Sequence, residues 1–418
     1  MRGIRIGTVA VLVAVLVGSG LAPASALGRR IVPETFGVQD DWANPDDSGA
    51  WGTARMWAAW CTVQPTADTE IDQAATRTLT RAYQTYVRSG ARRLTVSLGH
   101  PSAWVFDDHP TAKARNPYVW YCEASMANTS FPTASSMRSG RVHDAYVAYV
   151  TAVIRAGAPY LAANPANRLV LQAWNEPNLR NGGTVTNEIP GAARSWSKAS
   201  KSLRAQERIL REVARTLIPG RYEISSPSLY GKTNSLNTEY FQDQARSRTV
   251  DSFSINFYTL GQRSVNTSLA KWRRKGTAAK KLITSHRTLR KVPIWLTETN
   301  HNLTNGSPSE INLTPAWASP AAQKRMTEVT TMEALRLGFA GIQWYQGTLK
   351  QVAVNTRPGT PATLASLALR RELVGRRVVR CSTTKKKRTT CTLTSRHGSG
   401  RITVAWSAKG SAGVRITR

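Results

Sequence analysis

The chain alternates between two kinds of hydrophobic pattern. Short runs rich in β-branched and aromatic residues, bounded by turn residues, predict strands, whereas longer segments with apolar residues three and four positions apart predict helices. Eight strands are predicted, at residues 35–39, 52–57, 93–98, 169–174, 222–226, 252–258, 292–297 and 340–345. Helices are predicted at residues 71–89, 143–161, 192–217, 238–246, 269–289, 321–337 and 362–373.

This alternation of strands and helices predicts an α/β protein with a parallel sheet. Eight such units in about 350 residues favour a (β/α)8 TIM barrel, in which the functional side chains lie on the loops that follow the strands. The gap between the first two strands is short, so we expect the first helix to be missing or reduced. A doubly wound open sheet is the alternative. No GxGxxG follows a strand, and Gly231-Lys232-Thr233 lacks the earlier glycine of a phosphate-binding loop.

The pattern changes after Leu373. Short alternating runs at residues 377–381, 390–394, 402–406 and 414–417, separated by turn residues, predict a small antiparallel β module. Residues 370–418 contain 14 Lys and Arg but one acidic residue, Glu372. We therefore expect a barrel domain over residues 27–373 and a small basic module over residues 374–418.

The N-terminal segment predicts export. Arg2 and Arg5 precede an apolar run over residues 9–17, and the segment ends in Ala24-Ser25-Ala26. This is the pattern of a signal peptide, residues 1–26, because a membrane anchor needs about 20 continuous apolar residues. We expect a secreted or cell-wall-associated monomer with no membrane span.

Export changes the interpretation of the charge. The whole chain has 57 Lys and Arg against 25 Asp and Glu, a net charge of +32, which in an intracellular protein would favour a nucleic-acid partner. Outside the cell, the same charge favours an anionic polymer of the cell envelope, bound through the basic C-terminal module. We therefore expect no nucleic-acid partner.

The cysteines and histidines predict disulfides rather than a metal site. The chain has four cysteines and no CxxC pair. In an oxidising compartment, proximity in sequence favours pairing of Cys61 with Cys122 and of Cys381 with Cys391. No histidine has ligand-like spacing, so we expect no metal and no cofactor.

Two glutamates lie where predicted strands end. Glu176 follows the fourth strand in Trp174-Asn175-Glu176-Pro177, and Glu298 ends the seventh in Trp295-Leu296-Thr297-Glu298. In a closed barrel these strands face each other across the mouth, so the two carboxyls are expected to meet. A lone glutamate at a strand end is more often part of a structural ion pair. A facing pair, however, suits retaining glycoside hydrolysis.

The two motifs together resemble those of the clan A glycoside hydrolases, over residues 34–350. The resemblance implies that Glu176 is the general acid/base and Glu298 the nucleophile, and that Asn175 binds the sugar 2-hydroxyl. The segments 55–60 and 98–104 also resemble family 39 and related bacterial glycosidases.

Further residues match the same resemblance. It implies that Arg55 is the strand-two arginine beside the nucleophile, that Tyr258 donates a hydrogen bond to the nucleophile, and that Trp344 is the strand-eight platform for a sugar. Ordinary barrel packing or a surface ion pair is the alternative for each of the three. His100 follows the third strand and is expected either to line the cleft or to be an ordinary loop histidine.

The sequence thus predicts a secreted retaining glycosidase that cleaves O-glycosidic bonds of a poly- or oligosaccharide. Its mechanism requires a raised pKa at Glu176, expected from burial near Trp174, and a lowered pKa at Glu298, expected from Arg55. The alternatives are a non-catalytic glycan- or cell-wall-binding protein on a barrel scaffold, and a basic protein that binds extracellular polyanions.

Overall fold

A computed structural model describes most of the chain. The described residues are 28–39, 51–65, 71–99, 101–105, 131–177, 195–231, 235–303, 318–345, 352–384, 388–396 and 400–418. The predicted signal peptide, His100 and Cys122 lie outside these ranges.

Eight parallel strands close into a barrel, which confirms the predicted fold class and excludes the open sheet. The barrel strands are β1 (Phe36–Gln39), β2 (Thr53–Trp57), β3 (Arg93–Ser97), β4 (Arg168–Gln172), β5 (Tyr222–Tyr230), β6 (Ser252–Asn256), β8 (Ile294–Thr299) and β10 (Gly341–Tyr345). Their order around the barrel is β1-β10-β8-β6-β5-β4-β3-β2, and β1 pairs with both β2 and β10.

Helices follow most of the strands. The helices are α1 (Trp60–Val63), α2 (Gln73–Ser89), α3 (Arg141–Ala156), α4 (Ala158–Ala163), α5 (Trp196–Leu217), α6 (Ser235–Arg246), α7 (Val265–Thr284), α8 (Pro320–Leu337) and α9 (Pro361–Leu373). Several begin at the N-cap residue that their sequence provides, such as Asp72 before α2 and Ser195 before α5, whose side chains accept a backbone N–H of the first turn. These caps fix the residue at which each of these helices begins.

Some elements differ from the sequence prediction in length. The helix predicted over residues 143–161 is two helices, α3 and α4, separated at Gly157 before a proline in the first turn of α4. The strand predicted over residues 222–226 continues to Tyr230, because Pro227 sits at a register shift between Ser225 and Ser228. The shift lets pairing with β6 resume beyond the proline.

The C-terminal segment forms the predicted separate antiparallel sheet. Its strands, in the order of the sheet, are β11 (Val378–Thr383), β12 (Arg388–Thr394), β13 (Arg401–Ser407) and β14 (Arg415–Thr417). A disulfide joins Cys381 to Cys391 across β11 and β12, as predicted. The sheet packs on α8, where Trp406 Nε1 donates to Glu333 Oε1 at 2.6 Å.

Two short strands extend the carboxyl end of the barrel, which we call the mouth. They are β7 (Thr259–Gln262) and β9 (His301–Leu303), paired in parallel after β6 and β8 respectively. Within the ranges that the structure describes, no helix is long and apolar enough to cross a membrane.

Candidate active site

Arg55 connects the strands at the mouth. Its side chain is 0% exposed, lies on β2, and donates hydrogen bonds to residues of five other strands or their ends. The accepting atoms are Gln39 Oε1 (2.7 Å), Ser97 Oγ (3.3 Å), Gln172 Oε1 (3.2 Å), Asn175 Oδ1 (2.6 Å), Ser228 Oγ (3.0 Å) and Glu298 Oε2 (3.0 Å). A buried guanidinium with this many fixed acceptors is a rigid positive charge at the centre of the site.

Glu298 lies at the end of the seventh barrel strand, β8, and is 5% exposed. One of its oxygens accepts from Arg55 Nη1 at 3.0 Å and from Asn256 Nδ2 at 2.6 Å. The other accepts a short hydrogen bond from the Tyr258 hydroxyl. Three donors therefore hold this carboxylate in one orientation.

Glu176 occupies a strained turn directly after the fourth strand. Its φ is 44°, the only positive φ of a non-glycine residue in the described part of the chain. The backbone N–H of Glu176 donates to Ser228 O at 2.9 Å, and Ser228 N donates to Trp174 O at 3.1 Å. These two bonds, with Pro177 next in the chain, hold the turn that presents the Glu176 side chain to the mouth.

Asn256, at the end of β6, joins the two carboxyls. Its Nδ2 lies 2.9 Å from Glu176 Oε1 and 2.6 Å from Glu298 Oε2, so these two oxygens are at most 5.5 Å apart, the sum of the two distances. The Asn256 Oδ1 accepts from Thr297 Oγ1 at 2.9 Å, which fixes the orientation of the amide. The structure thus brings the two predicted carboxylates together, and the upper limit of this oxygen–oxygen distance equals the upper end of the carboxyl spacing of retaining glycosidases and lies below that of inverting ones.

The two carboxyls have different electrostatic surroundings. Burial, and next the charge of Glu298, raise the pKa of Glu176 to about 8, although its bond from Asn256 and the charge of Arg55 act in the opposite direction. Among the described residues Glu176 forms no ion pair, whereas Arg55 contacts Glu298. When the pair carries a single proton, that proton therefore resides on Glu176.

The pKa of Glu298 differs from the sequence expectation. Burial raises it above the ordinary value, and this effect exceeds the lowering by Arg55 and by the Tyr258 hydroxyl. The sequence indicated the cation beside Glu298 but not the depth of its burial. Arg55 therefore limits the rise in the pKa of Glu298 but does not bring that pKa below its ordinary value.

Asn175 and Tyr258 lie beside the carboxyls. The Asn175 Oδ1 accepts from Arg55 Nη2 and Ser228 Oγ, both at 2.6 Å, which leaves its amide nitrogen directed away from these donors. Tyr258 is further held through its carbonyl, which accepts from Lys275 Nζ at 2.6 Å. Both side chains remain partly exposed at the mouth.

Trp344 lies elsewhere than the resemblance implies. It is 1% exposed and packs against His301, with ring centroids 6.1 Å apart, so it offers no open face to a sugar. Its neighbours on β10 occupy the opposite face of the strand: Gln343 donates to Thr53 Oγ1 inside the barrel, and Tyr345 packs edge-on against Tyr258. The partly exposed aromatic side chain of this strand at the site is therefore Tyr345.

The remaining predicted residues are only partly described. His100 and Cys122 lie outside the described ranges. Cys61 is in a disulfide. No group of three His, Cys, Asp or Glu side chains suited to a metal occurs among the residues that the structure describes.

Sequence reasoning missed several polar residues of the site, above all Asn256. A usable signal was present, because Ser252, Ser254 and Asn256 alternate with Phe253 and Ile255 along β6. Alternation places all three polar residues inside the barrel and Asn256 at its carboxyl end. Gln39 and Gln172 carry the same signal at the ends of β1 and β4.

No protein-family model matches this chain, and no curated protein matches it. Among solved structures, it is similar to a family 39 glycoside hydrolase from the gut symbiont Bacteroides cellulosilyticus WH2, with a TM-score of 0.53 and 13% identity over 92% of this chain and 71% of that one. It is also similar to a 4-O-α-L-rhamnosyl-β-D-glucuronidase from Fusarium oxysporum 12S, with a TM-score of 0.54 and 11% identity over 93% of this chain and 80% of that one. At these identities the likeness shows a shared fold, which confirms at that level the resemblance stated from the sequence.

Proposed function

We propose that this protein is a retaining glycoside hydrolase that cleaves O-glycosidic bonds of a poly- or oligosaccharide. The observation that carries the proposal is the pair of carboxyls bridged by Asn256, of which one contacts Arg55 and the other does not. The likeness in fold to glycoside hydrolases supports the reaction class.

In the first step, a Glu298 oxygen attacks the anomeric carbon and the bond from that carbon to the leaving oxygen breaks. The proton of Glu176 passes to the leaving oxygen, so the aglycone departs as an alcohol. Arg55 and Tyr258 hold Glu298 for in-line attack, which reduces the entropy that the step must lose. The raised pKa of Glu176 keeps its proton available at neutral pH.

In the second step, Glu176 is ionised and accepts a proton from water. The water oxygen attacks the anomeric carbon, and the bond to Glu298 breaks, which restores both carboxyls. Two inversions give net retention of configuration. The Asn175 amide nitrogen donates to the 2-hydroxyl of the sugar in both steps, a role supported by the bonds from Arg55 and Ser228 that hold the Asn175 oxygen.

The test uses Glu176→Ala and Glu298→Ala with an aryl glycoside found by a screen of substrates, in the presence of azide. Each substitution should lower turnover by about three orders of magnitude or more, because each removes one chemical group of the double displacement. Azide distinguishes the two roles. In Glu176→Ala it intercepts the glycosyl-enzyme and gives a glycosyl azide of retained configuration, whereas in Glu298→Ala it attacks the substrate directly and gives the inverted one.

Two results would contradict the assignment. Wild-type turnover in either variant would exclude that glutamate from the chemistry. A wild-type protein that binds oligosaccharides but releases no reducing sugar from any polysaccharide would instead indicate a non-catalytic glycan-binding barrel.

We also propose that the protein acts outside the cytoplasm. The support is the N-terminal pattern of residues 1–26 together with the disulfide between Cys381 and Cys391, since disulfides persist in oxidising compartments. Expression in a secreting host and N-terminal sequencing of the product should give Leu27 as the first residue. A cell-retained product that begins at Met1 would contradict this.

A further inference from the structure

The amino end of the barrel, opposite the mouth, is lined by cations. Two cavities open there, where strands begin and helices end, and we call the cationic side chains that line them the amino-end basic track. None of these residues belongs to the site at the mouth, so a function of the track does not depend on the proposed chemistry.

The first cavity has a volume of about 610 Å3 and lies between the start of the barrel, the end of α9 and the C-terminal sheet. Four of its lining residues are arginines: Arg30, Arg370, Arg371 and Arg396. Its other lining residues are apolar or glycine, including Pro33, Leu367 and Val374. The cavity is therefore lined by both apolar and cationic side chains.

The second cavity, of about 210 Å3, lies beside the start of β8. It is lined by Arg29, Lys280, Arg290 and Lys291, again with apolar residues and a glycine between them. A narrow cleft lined by both Arg29 and Arg30 connects the two cavities. The eight cations thus form one continuous track rather than two separate sites.

No acidic side chain lines either cavity in the part of the chain that the structure describes. Several of the cations instead donate to backbone carbonyls: Arg30 Nε to Gly375 O at 3.3 Å, Arg290 Nε to Thr284 O at 3.0 Å, and Lys280 Nζ to Leu337 O. These bonds orient the side chains, and Lys280 is 5% exposed, so that burial lowers its pKa to about 8. Two nearby carboxylates form ion pairs with other arginines, Glu223 with Arg93 and Glu372 with Arg418, while the charges of Glu223 and Glu34 also act on Arg29 and Arg370 respectively.

The lining favours one kind of polyanion. Single-stranded nucleic acids are bound by basic grooves that also carry aromatic side chains for base stacking. Neither cavity has an aromatic lining residue among those described, and the aromatic residue of the cleft, Phe339, is only 3% exposed, so it offers no open ring face for a base. A lining of apolar and cationic side chains instead matches a charged sugar, which has an apolar C–H face and an anionic substituent at its edge.

We propose that the amino-end basic track binds a linear anionic polysaccharide, on the face of the barrel opposite the catalytic mouth. The charges come from both the barrel and the C-terminal sheet, so the binding surface is larger than the basic module that the sequence indicated. Such binding would hold the enzyme on an anionic polymer while its mouth remains open to substrate.

The test measures binding of the full chain to polygalacturonate, to phosphorylated dextran and to neutral dextran by calorimetry at two salt concentrations. One anionic glycan or both should bind, more weakly at high salt, and dextran should not. Comparison of the two affinities shows whether the track prefers a carboxylate or a phosphate group. The double variant Lys291→Gln/Arg371→Gln, with one cation removed from each cavity, should weaken binding about tenfold or more.

The matched control is Arg388→Gln/Arg401→Gln, which removes the same charge from exposed positions on the C-terminal sheet. It should bind within about twofold of wild type. An equal loss in both double variants would assign binding to net charge or to the module rather than to the track, and overturn the proposal. Absence of glycan binding, or tighter binding of a DNA oligonucleotide of equal charge, would also overturn it.

Discussion

The bridge formed by Asn256 makes the two carboxyls one titrating unit. Burial raises the pKa of both, but Glu298 accepts hydrogen bonds from Arg55 and Tyr258 as well as from Asn256, whereas the side-chain donor to the Glu176 carboxyl among the described residues is the Asn256 amide. In such a pair the first ionisation occurs at Glu298 and the second at Glu176. The geometry thus gives an ionised Glu298 beside a protonated Glu176, the state that the proposed mechanism requires.

A bell-shaped pH profile of kcat/KM follows from this separation. Glu176 must be protonated, so the rate should fall as the pH rises through about 8. Glu298 must be ionised and burial raises its pKa, so the rate should fall on the acid side at a pH above the ordinary titration of a glutamate. Initial rates measured over a range of pH test both limbs.

Asn256→Ala should move the alkaline limb of the pH profile to higher pH, because the Asn256 hydrogen bond lowers the pKa of Glu176. Thr297→Val, which removes only the bond that orients the Asn256 amide, should move it in the same direction by less. An alkaline limb that stays in place in Asn256→Ala would show that Glu176 does not set it.

Arg55→Lys should damage both stability and catalysis. Lysine keeps the charge but cannot reach the six acceptors of a planar guanidinium, so we expect a loss of about 3 kcal/mol in unfolding free energy and at least a hundredfold loss in kcat/KM. Arg93→Lys is a matched control, since Arg93 is also a buried arginine in an ion pair but lies at the start of β3. It should lower stability and leave kcat/KM unchanged; equal losses of kcat/KM would contradict a specific role for Arg55.

Individual residues of the site were predictable to different degrees. Glu176 and Glu298 followed from motifs at strand ends. Trp344 did not, because side chains alternate at every position of a strand and a motif alone does not fix which face a residue occupies. In the structure Gln343 and Tyr345 face the barrel interior, so Trp344 must face the helices.

At the scale of elements, the close contact between β3 and β4 positions the turn that carries Glu176. Gly99 follows β3 with a φ of 100°, and a Cβ there would lie 2.9 Å from Ala173 O and 3.0 Å from Trp174 Cδ2. A side chain at Gly99 would therefore push on the residues that immediately precede Asn175 and Glu176.

Gly99→Ala should lower the unfolding free energy by about 2 to 4 kcal/mol and also lower kcat, since it adds a clash to the left-handed strain. Gly90→Ala is the control: its φ is 71°, but nothing lies within 4 Å of the added Cβ. That variant should cost about 1 kcal/mol and leave kcat unchanged. Chemical denaturation and initial rates measure both, and equal behaviour of the two variants would contradict the packing argument.

The existence of the elements was more predictable than their lengths. The hydrophobic pattern of each segment reflects which of its side chains the barrel buries. Because every barrel strand carries such a pattern, all eight were identified from the sequence. The break at Gly157 and the continuation of β5 past Pro227 depend on tertiary packing. A Cβ at Gly157, for example, would lie 3.1 Å from Leu169 Cδ1 of β4, a contact that no local pattern reveals.

At the scale of the whole molecule, the C-terminal sheet and the barrel share a buried interface, in which Trp406 and Glu333 are 2% and 1% exposed. Glu333 also pairs with Arg273 and Arg336, and Glu328 accepts from Val414 N at 3.1 Å. Among the hydrogen bonds and ion pairs of Arg55, Glu176 and Glu298 with described residues, none involves these residues of α8 or the sheet, so the sheet should contribute to stability but not to chemistry.

Cys381→Ser/Cys391→Ser tests this coupling. The disulfide closes a loop with a sequence separation of 10, for which chain entropy gives a stabilisation of about 2 to 3 kcal/mol. Because the interface couples the sheet to the barrel, calorimetry should show a single transition lowered by a few degrees. The kcat at 25 °C should not change, since neither cysteine approaches the mouth. A second, lower transition would show that the sheet unfolds independently, and a lost kcat would show that it reaches the active site.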